Sequence, residues 1–208
     1  MLVTISRQYG AGGSEVAQRV AAALGWRVVD NELVEQVAAR AGLPAEEVAR
    51  LDERGPSFIE RLARSLVAAT PELFSPGGAA TRGPMPEFQE ADLVRITETV
   101  VAEIAAQGNV VFVGRATPAV LATERDALHV RVVAPRDHRI EVVARRLGCT
   151  AAEAAKAVDE TDARRARYYR QYYSRNWEEA SNYHLVLNTA ALGLDRVAEV
   201  IVRCVTRS

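Results

Sequence analysis

A chain of 208 residues, 49% of them hydrophobic, is long enough to bury the core of one domain. Its formal net charge of −1 creates no field that would draw nucleic acid or an anionic membrane, and it has no run of about 18 apolar residues to span a bilayer. Lys156 is the only lysine among 26 Lys and Arg residues, so any phosphate-binding cation here is an arginine, with a planar fork of donors.

The two cysteines, Cys149 and Cys204, form no C-x-x-C and have no histidine beside them, which argues against a structural zinc site. They suit a reducing compartment, and no basic segment followed by an apolar stretch marks a signal peptide. A cytoplasmic protein is expected.

In chain order, residues 2–6 read as a buried strand and 14–24 as a helix stopped by Gly25. A short strand over 27–29 ends at Asp30. Helices are expected over 31–41, 44–53 and 57–69. Residues 70–90 carry four prolines and three glycines and read as a long surface loop. An amphipathic helix over 91–107 follows, then an apolar strand over 109–113 that ends at Gly114-Arg115. A short helix over 116–122 leads to a strand over 128–133. Pro135 introduces a helix through Leu147, and Gly148 ends it. Thr150-Ala-Ala-Glu153 is a capping box opening a helix to about Tyr173. Residues 184–187 are the last strand and 194–205 the last helix. Strands alternating with helices imply an α/β fold with a parallel sheet, whose ligands bind at the carboxyl ends of the strands.

Three groups of residues could carry chemistry. The first is Arg7-Gln-Tyr-Gly10-Ala11-Gly12-Gly13-Ser14, a glycine-rich turn between strand and helix. Such a turn lets backbone N–H groups approach a phosphate, helped by the positive end of the helix. Against the Walker pattern it has the closing glycine and serine, but Gly13 stands at the lysine position and Arg7 at the opening glycine. Ser14 suits an N-cap or a magnesium ligand. The second group, Asp30-Asn31-Glu32 and Gly114-Arg115, sits at strand ends. Asp30 and Asn31 suit a helix cap or a nucleoside contact, and Arg115 suits an anion contact or a salt bridge. The third is arginine-rich: Arg145-Arg146 ends one helix, and Asp162 and Arg165 share a face of the next. Facing arginines over a phosphate cradle would form a lid that neutralises a transferring phosphoryl group. The interleaved tyrosines suggest nucleic acid, but the acidic balance argues against it. His129, His138 and His184 pair with no Ser or Cys motif, so triad chemistry has no support.

On these residues the chain resembles the cytidylate kinase-like family of P-loop nucleoside monophosphate kinases. Ile5-Ser-Arg-Gln-Tyr-Gly-Ala-Gly-Gly13 is similar to the family's N-terminal loop, and Val113-Gly-Arg115 stands where cytidylate kinases carry Gly-Arg-Asp. Asp162-x-x-Arg165 with Tyr168-Tyr169 resembles the motif after the lid, and Tyr183 to Thr189 resembles the final strand flanking the base of ATP. The resemblance implies a three-layer α/β/α P-loop kinase fold with about five parallel strands. It divides the chain into a core (1–30, 91–135 and 183–208), a helical monophosphate-binding part (31–90) and a lid with flanking helices (136–175). It implies ATP and Mg2+ as cofactors and a small phosphorylated acceptor, most simply CMP or dCMP. Gly10, Ala11, Gly12, Gly13 and Ser14 would hold the ATP phosphates, with Ser14 on the metal and Asn188 near the base. Asp30 and Asn31 would lie near the monophosphate. Arg7, Arg115, Arg145, Asp162 and Arg165 would form the catalytic set, with Arg115 and Arg165 also contacting substrate. Three departures stand out: no loop lysine, Ala116 after Arg115, and Asp30-Asn31-Glu32 in place of Asp-Ser-Gly. The missing lysine motivates a second reading, a catalytically weak or inactive nucleotide-binding regulatory module.

Overall fold

The computed structural model describes residues 1–30 and 90–206. The helices expected over 31–41, 44–53 and 57–69 and nearly all of the loop over 70–90 lie outside the described residues, as do Asn31 and Glu32. The described strands are β1 (Leu2–Arg7), β2 (Arg27–Val29), β3 (Val110–Val113), β4 (Ala127–Val133) and β5 (Leu185–Asn188). They form one sheet in the order β2-β3-β1-β4-β5, with every pairing parallel. The helices are α1 (Gly13–Leu24), α2 (Glu90–Ala106), α3 (Thr117–Val120), α4 (Arg136–Leu147), α5 (Ala151–Tyr173), α6 (Thr189–Leu192) and α7 (Leu194–Thr206). None is long and apolar enough to cross a membrane.

The strand order dictates where a ligand can sit. The chain leaves β1 toward β3 and β2 on one side and later fills β4 and β5 on the other. The crevice at the carboxyl end of β1, beside β3, is therefore the topological switch point. The glycine loop leaves the end of β1, and Gly114-Arg115 leaves the end of β3, so both open into that crevice.

The two faces of the sheet differ in chemistry. Val3, Ile5, Val111, Val113, Val130 and Val132 point to a dry core closed by α1 and α7. The alternate positions Thr4, Ser6, His129 and Arg131 are also buried, but they are polar. Thr4 Oγ1 meets His129 Nδ1 at 2.8 Å, and Ser6 Oγ accepts from Trp177 Nε1 at 2.9 Å. Arg131 lies 4.2 Å over the Trp177 ring and donates to the Trp177 carbonyl. Thr4, Ser6 and Arg131 find partners, which makes a buried polar face tolerable, whereas His129 Nε2 has none among the described residues.

Local signals explain the α4–α5 hairpin. Thr150 caps α5 in a complete capping box with Glu153, and Gly148 ends α4 in the left-handed conformation. Arg136 clamps Asp159 through two hydrogen bonds of 2.9 and 2.6 Å, tying α4 to α5. One expectation is corrected at the other end of the molecule. Ser14 does not cap α1: Gly12 takes the cap position at φ 78°, with no side-chain cap bond. A left-handed backbone there suits glycine, and a Cβ on Gly12 would come within 2.6 Å of Leu194 Cδ2.

Candidate functional site

The glycine loop is held from below by a set of hydrogen bonds. Arg139 on α4 is buried, and its guanidinium donates to the Ala134 carbonyl (3.0 Å), the Tyr9 carbonyl (3.1 Å) and Asp162 Oδ2 (2.6 Å). Asp162 on α5 in turn accepts from the Tyr9 N–H at 2.9 Å. Arg165 donates to the Arg7 carbonyl at 2.9 Å, and Thr189 donates to the Ala11 carbonyl at 2.7 Å. Gln8 donates its N–H to the Val132 carbonyl and accepts from Ala134 N–H through its side chain. The bonds to the Arg7, Tyr9 and Ala11 carbonyls and from the Gln8 and Tyr9 N–H groups fix the loop backbone, which preorganises it for a ligand.

Burial raises the Asp162 carboxyl pKa, while the Tyr9 N–H, Arg139 and Arg165 act against that rise. The Arg139 guanidinium, 2.6 Å from Asp162 Oδ2, favours the charged carboxylate against that burial.

Above the loop the arrangement is reversed. Among the described residues, the N–H groups of Gly12, Gly13 and Ser14 have no acceptor, as expected where a helix begins. They face a cleft of about 470 Å³ between the loop and the α4–α5 hairpin. Arg7, Arg146, Arg164 and Arg165 line it, opposed by Glu15 and Glu160. Arg146 stacks 5.0 Å over the Tyr9 ring, with Arg165 at 5.9 Å. Arg164 donates to Thr161 Oγ1 at 3.0 Å, and its buried Nε has no partner among the described residues. A Cβ at Gly13 would press on the stem of the cleft-lining Arg7, 2.5 Å from its Cβ. Unpaired N–H groups at a helix start under an arginine cluster are a fit for phosphate groups.

Of the residues expected from sequence, Arg7, Gly10, Gly12, Gly13, Ser14 and Arg165 line this one cleft. Ala11 is buried just behind it. Asp162 lies beneath the loop rather than in the cleft, and its partners are protein groups. Arg145 is exposed at the end of α4, and its neighbour Arg146 is the residue that lines the cleft. Arg115 lies outside the cleft lining, half-buried in a turn where Gly114, Arg115 and Ala116 all have positive φ (74°, 53° and 51°). Thr117 braces that turn by donating to the Gly114 carbonyl at 2.9 Å. Asp30 ends β2. Asn188 uses its side-chain oxygen to cap α6, accepting from Ala190 and Ala191 N–H.

Sequence reading missed Arg139, Arg164 and Thr189, and of the pair Arg145-Arg146 it chose Arg145 for the site. For Arg139 a signal existed: it lies four residues before Val143 on the buried stripe of α4. For Thr189 there was none, because α6 is only four residues long.

The all-parallel sheet, with its glycine loop at the switch point beside an arginine-lined cleft, defines an α/β protein of the P-loop kinase fold. Residues 2–191 match the cytidylate kinase-like family, and the chain belongs to that family. No curated protein matches it in sequence. Among solved structures, an uncharacterized protein from Eubacterium ventriosum is similar at TM-score 0.70 and 15% identity, with 100% of this chain and 99% of that one covered. The shikimate kinase of Bacteroides thetaiotaomicron is similar at TM-score 0.55 and 14% identity, covering 99% and 98%. The Acinetobacter baumannii shikimate kinase, in complex with shikimate, gives TM-score 0.51 and 13% identity over 99% and 93%. At these identities the likeness is one of fold.

Proposed function

We propose that this chain transfers a phosphoryl group from ATP to a small phosphorylated acceptor, a nucleoside monophosphate of the CMP or dCMP kind. The observation that supports this best is the cleft itself: among the described residues, loop N–H groups without an acceptor face four arginines, offset by two carboxylates. Phosphoryl transfer depends mainly on positioning and charge neutralisation, and arginines in a partly enclosed cleft suit both. The loop N–H groups would hold the phosphates of the donor, and Arg164 and Arg165 would face the group in transit. Arg115, braced at the end of β3, would meet the acceptor. An acceptor that is itself a phosphate needs no general base.

No group of three or more His, Cys, Asp or Glu side chains that could hold a metal occurs among the described residues. Ser14 lines the cleft, and its hydroxyl would be available to Mg2+, which usually keeps several waters and binds through substrate phosphates. Magnesium so held would offset phosphate charge.

The test is a coupled assay with ATP, Mg2+ and, in turn, CMP, dCMP, UMP, AMP and shikimate. Turnover with a monophosphate is the expected result. Turnover with shikimate alone would keep the kinase and discard the phosphate acceptor. Gly13 at the lysine position favours a second reading, a nucleotide-binding module without transferase activity. Calorimetric binding of ATP with no turnover for any acceptor would establish that reading instead.

A further inference from the structure

Gly13 raises a question that backbone geometry does not answer. It is the first residue of α1 and has no positive φ, so any side chain would fit its conformation. What excludes a side chain is volume. A Cβ at Gly13 would lie 2.5 Å from Arg7 Cβ and 2.8 Å from Arg7 Cγ. The stem of Arg7 thus runs through the space a lysine at this position would occupy. The other end of Arg7 explains a second glycine. A Cβ at Gly114 would collide with Arg7 Nη1 and lie 2.8 Å from Cζ. Arg7 therefore leaves β1, crosses the start of α1 and lays its guanidinium against the turn that ends β3.

Two further facts bear on its role. Among the described residues no carboxylate pairs with the Arg7 guanidinium, whereas Arg139 and Arg136 each have one. Arg7 also lines the cleft beside the unpaired N–H groups of Gly13 and Ser14. A half-buried cation that no carboxylate of the described residues pairs with is a strong site for an anion.

We propose that Arg7 is the phosphate-holding cation of this loop and has exchanged places with the lysine that Gly13 lacks. The exchange moves the charge from the start of α1 to the junction of β1 and β3. There its planar fork reaches donor phosphates on one side and the group at the end of β3 on the other, which a compact ammonium on the helix would not span. This deepens the function proposed above and names a catalytic residue for it.

The exchange predicts a reciprocal relation that an ordinary loop arginine would not show. Four variants test it: Arg7→Met, which keeps the aliphatic stem; Arg7→Lys; Gly13→Lys; and the double Arg7→Ala, Gly13→Lys. The readouts are calorimetric binding of ATP and of inorganic tripolyphosphate, thermal unfolding, and turnover. Arg7→Met should unfold near the wild-type temperature and bind tripolyphosphate about tenfold or more weakly. Arg7→Lys should bind between the two. Gly13→Lys alone should bind worse than wild type, because two side chains compete for one space. The double variant, with that space cleared, should bind better than either Arg7→Met or Gly13→Lys. Wild-type affinity in Arg7→Met, or a double variant no better than both singles, overturns the proposal, as does wild-type protein that binds neither probe. Should binding follow the predicted pattern while no acceptor is turned over, the transferase reading fails and the assignment of Arg7 stands.

Discussion

The two sides of the glycine loop differ in how much of their hydrogen-bonding capacity the protein consumes. Below, the carbonyls of Arg7, Tyr9 and Ala11 and the N–H of Tyr9 are each taken by Arg165, Arg139, Thr189 and Asp162. Above, the N–H groups of Gly12, Gly13 and Ser14 are left open beside Arg7. Both sides are rich in arginine, so composition does not separate them. Pairing does: a buried guanidinium with three protein acceptors is a structural strut, and one without a carboxylate is a place for a ligand. Arg139 and Arg7 are the clearest examples, and they should fail in opposite ways.

The largest effect is expected at the strut. Arg139→Met leaves Asp162 buried without its main partner and should lower stability by about 3–5 kcal/mol in urea unfolding. An unchanged midpoint would erase the distinction between the two sides. Arg7→Met should leave the midpoint nearly unmoved and slow turnover on the order of 10²-fold, about 2.7 kcal/mol of transition-state stabilisation. A fall in stability instead of rate would make Arg7 a second strut.

The saturated side continues down the polar face of the sheet, and there it becomes sensitive to acid. Burial first, and then the neighbouring His184, hold His129 down to about 4 from its usual 6.5. The two rings stack with centroids 5.0 Å apart, and Arg175 adds a further positive charge. Between those two pH values the unfolded chain takes up a proton that the folded chain refuses. Stability is therefore full above about pH 6.5 and declines toward pH 4, by on the order of 2 kcal/mol after solvent screening. His129→Gln should flatten that slope by about one proton in denaturant titrations across the window. The smallest of the four effects belongs to Thr189→Val, which releases the Ala11 carbonyl and should cost about 1 kcal/mol. A loss several times larger would mean that α6, rather than the α4–α5 hairpin, is the main support of the loop.

Much of this architecture was legible in the chain because its signals are local. The apolar runs of β1, β3 and β4 mark strands by themselves, and Gly25, Gly148 and the Thr150–Glu153 box punctuate helices within a few residues. The glycine loop was legible for the same reason. What escaped was anything set by residues far apart in sequence. Nothing near Arg139 says that it turns inward to meet Asp162, and nothing near Ser14 says that Leu194 will press on Gly12. Arg145 and Arg146 are adjacent and chemically alike, and only the helical phase of α4 decides which one faces Tyr9.

The crowding of Gly13 by Arg7 also bears on how such a loop can change over generations. Arginine at 7 and lysine at 13 compete for one volume, so a route between them by single substitutions meets an obstacle either way. Acquiring the lysine first jams two side chains together, and losing the arginine first leaves the loop without its cation. A lineage that has settled on one arrangement is held there by mutual exclusion, even if the two arrangements serve equally well.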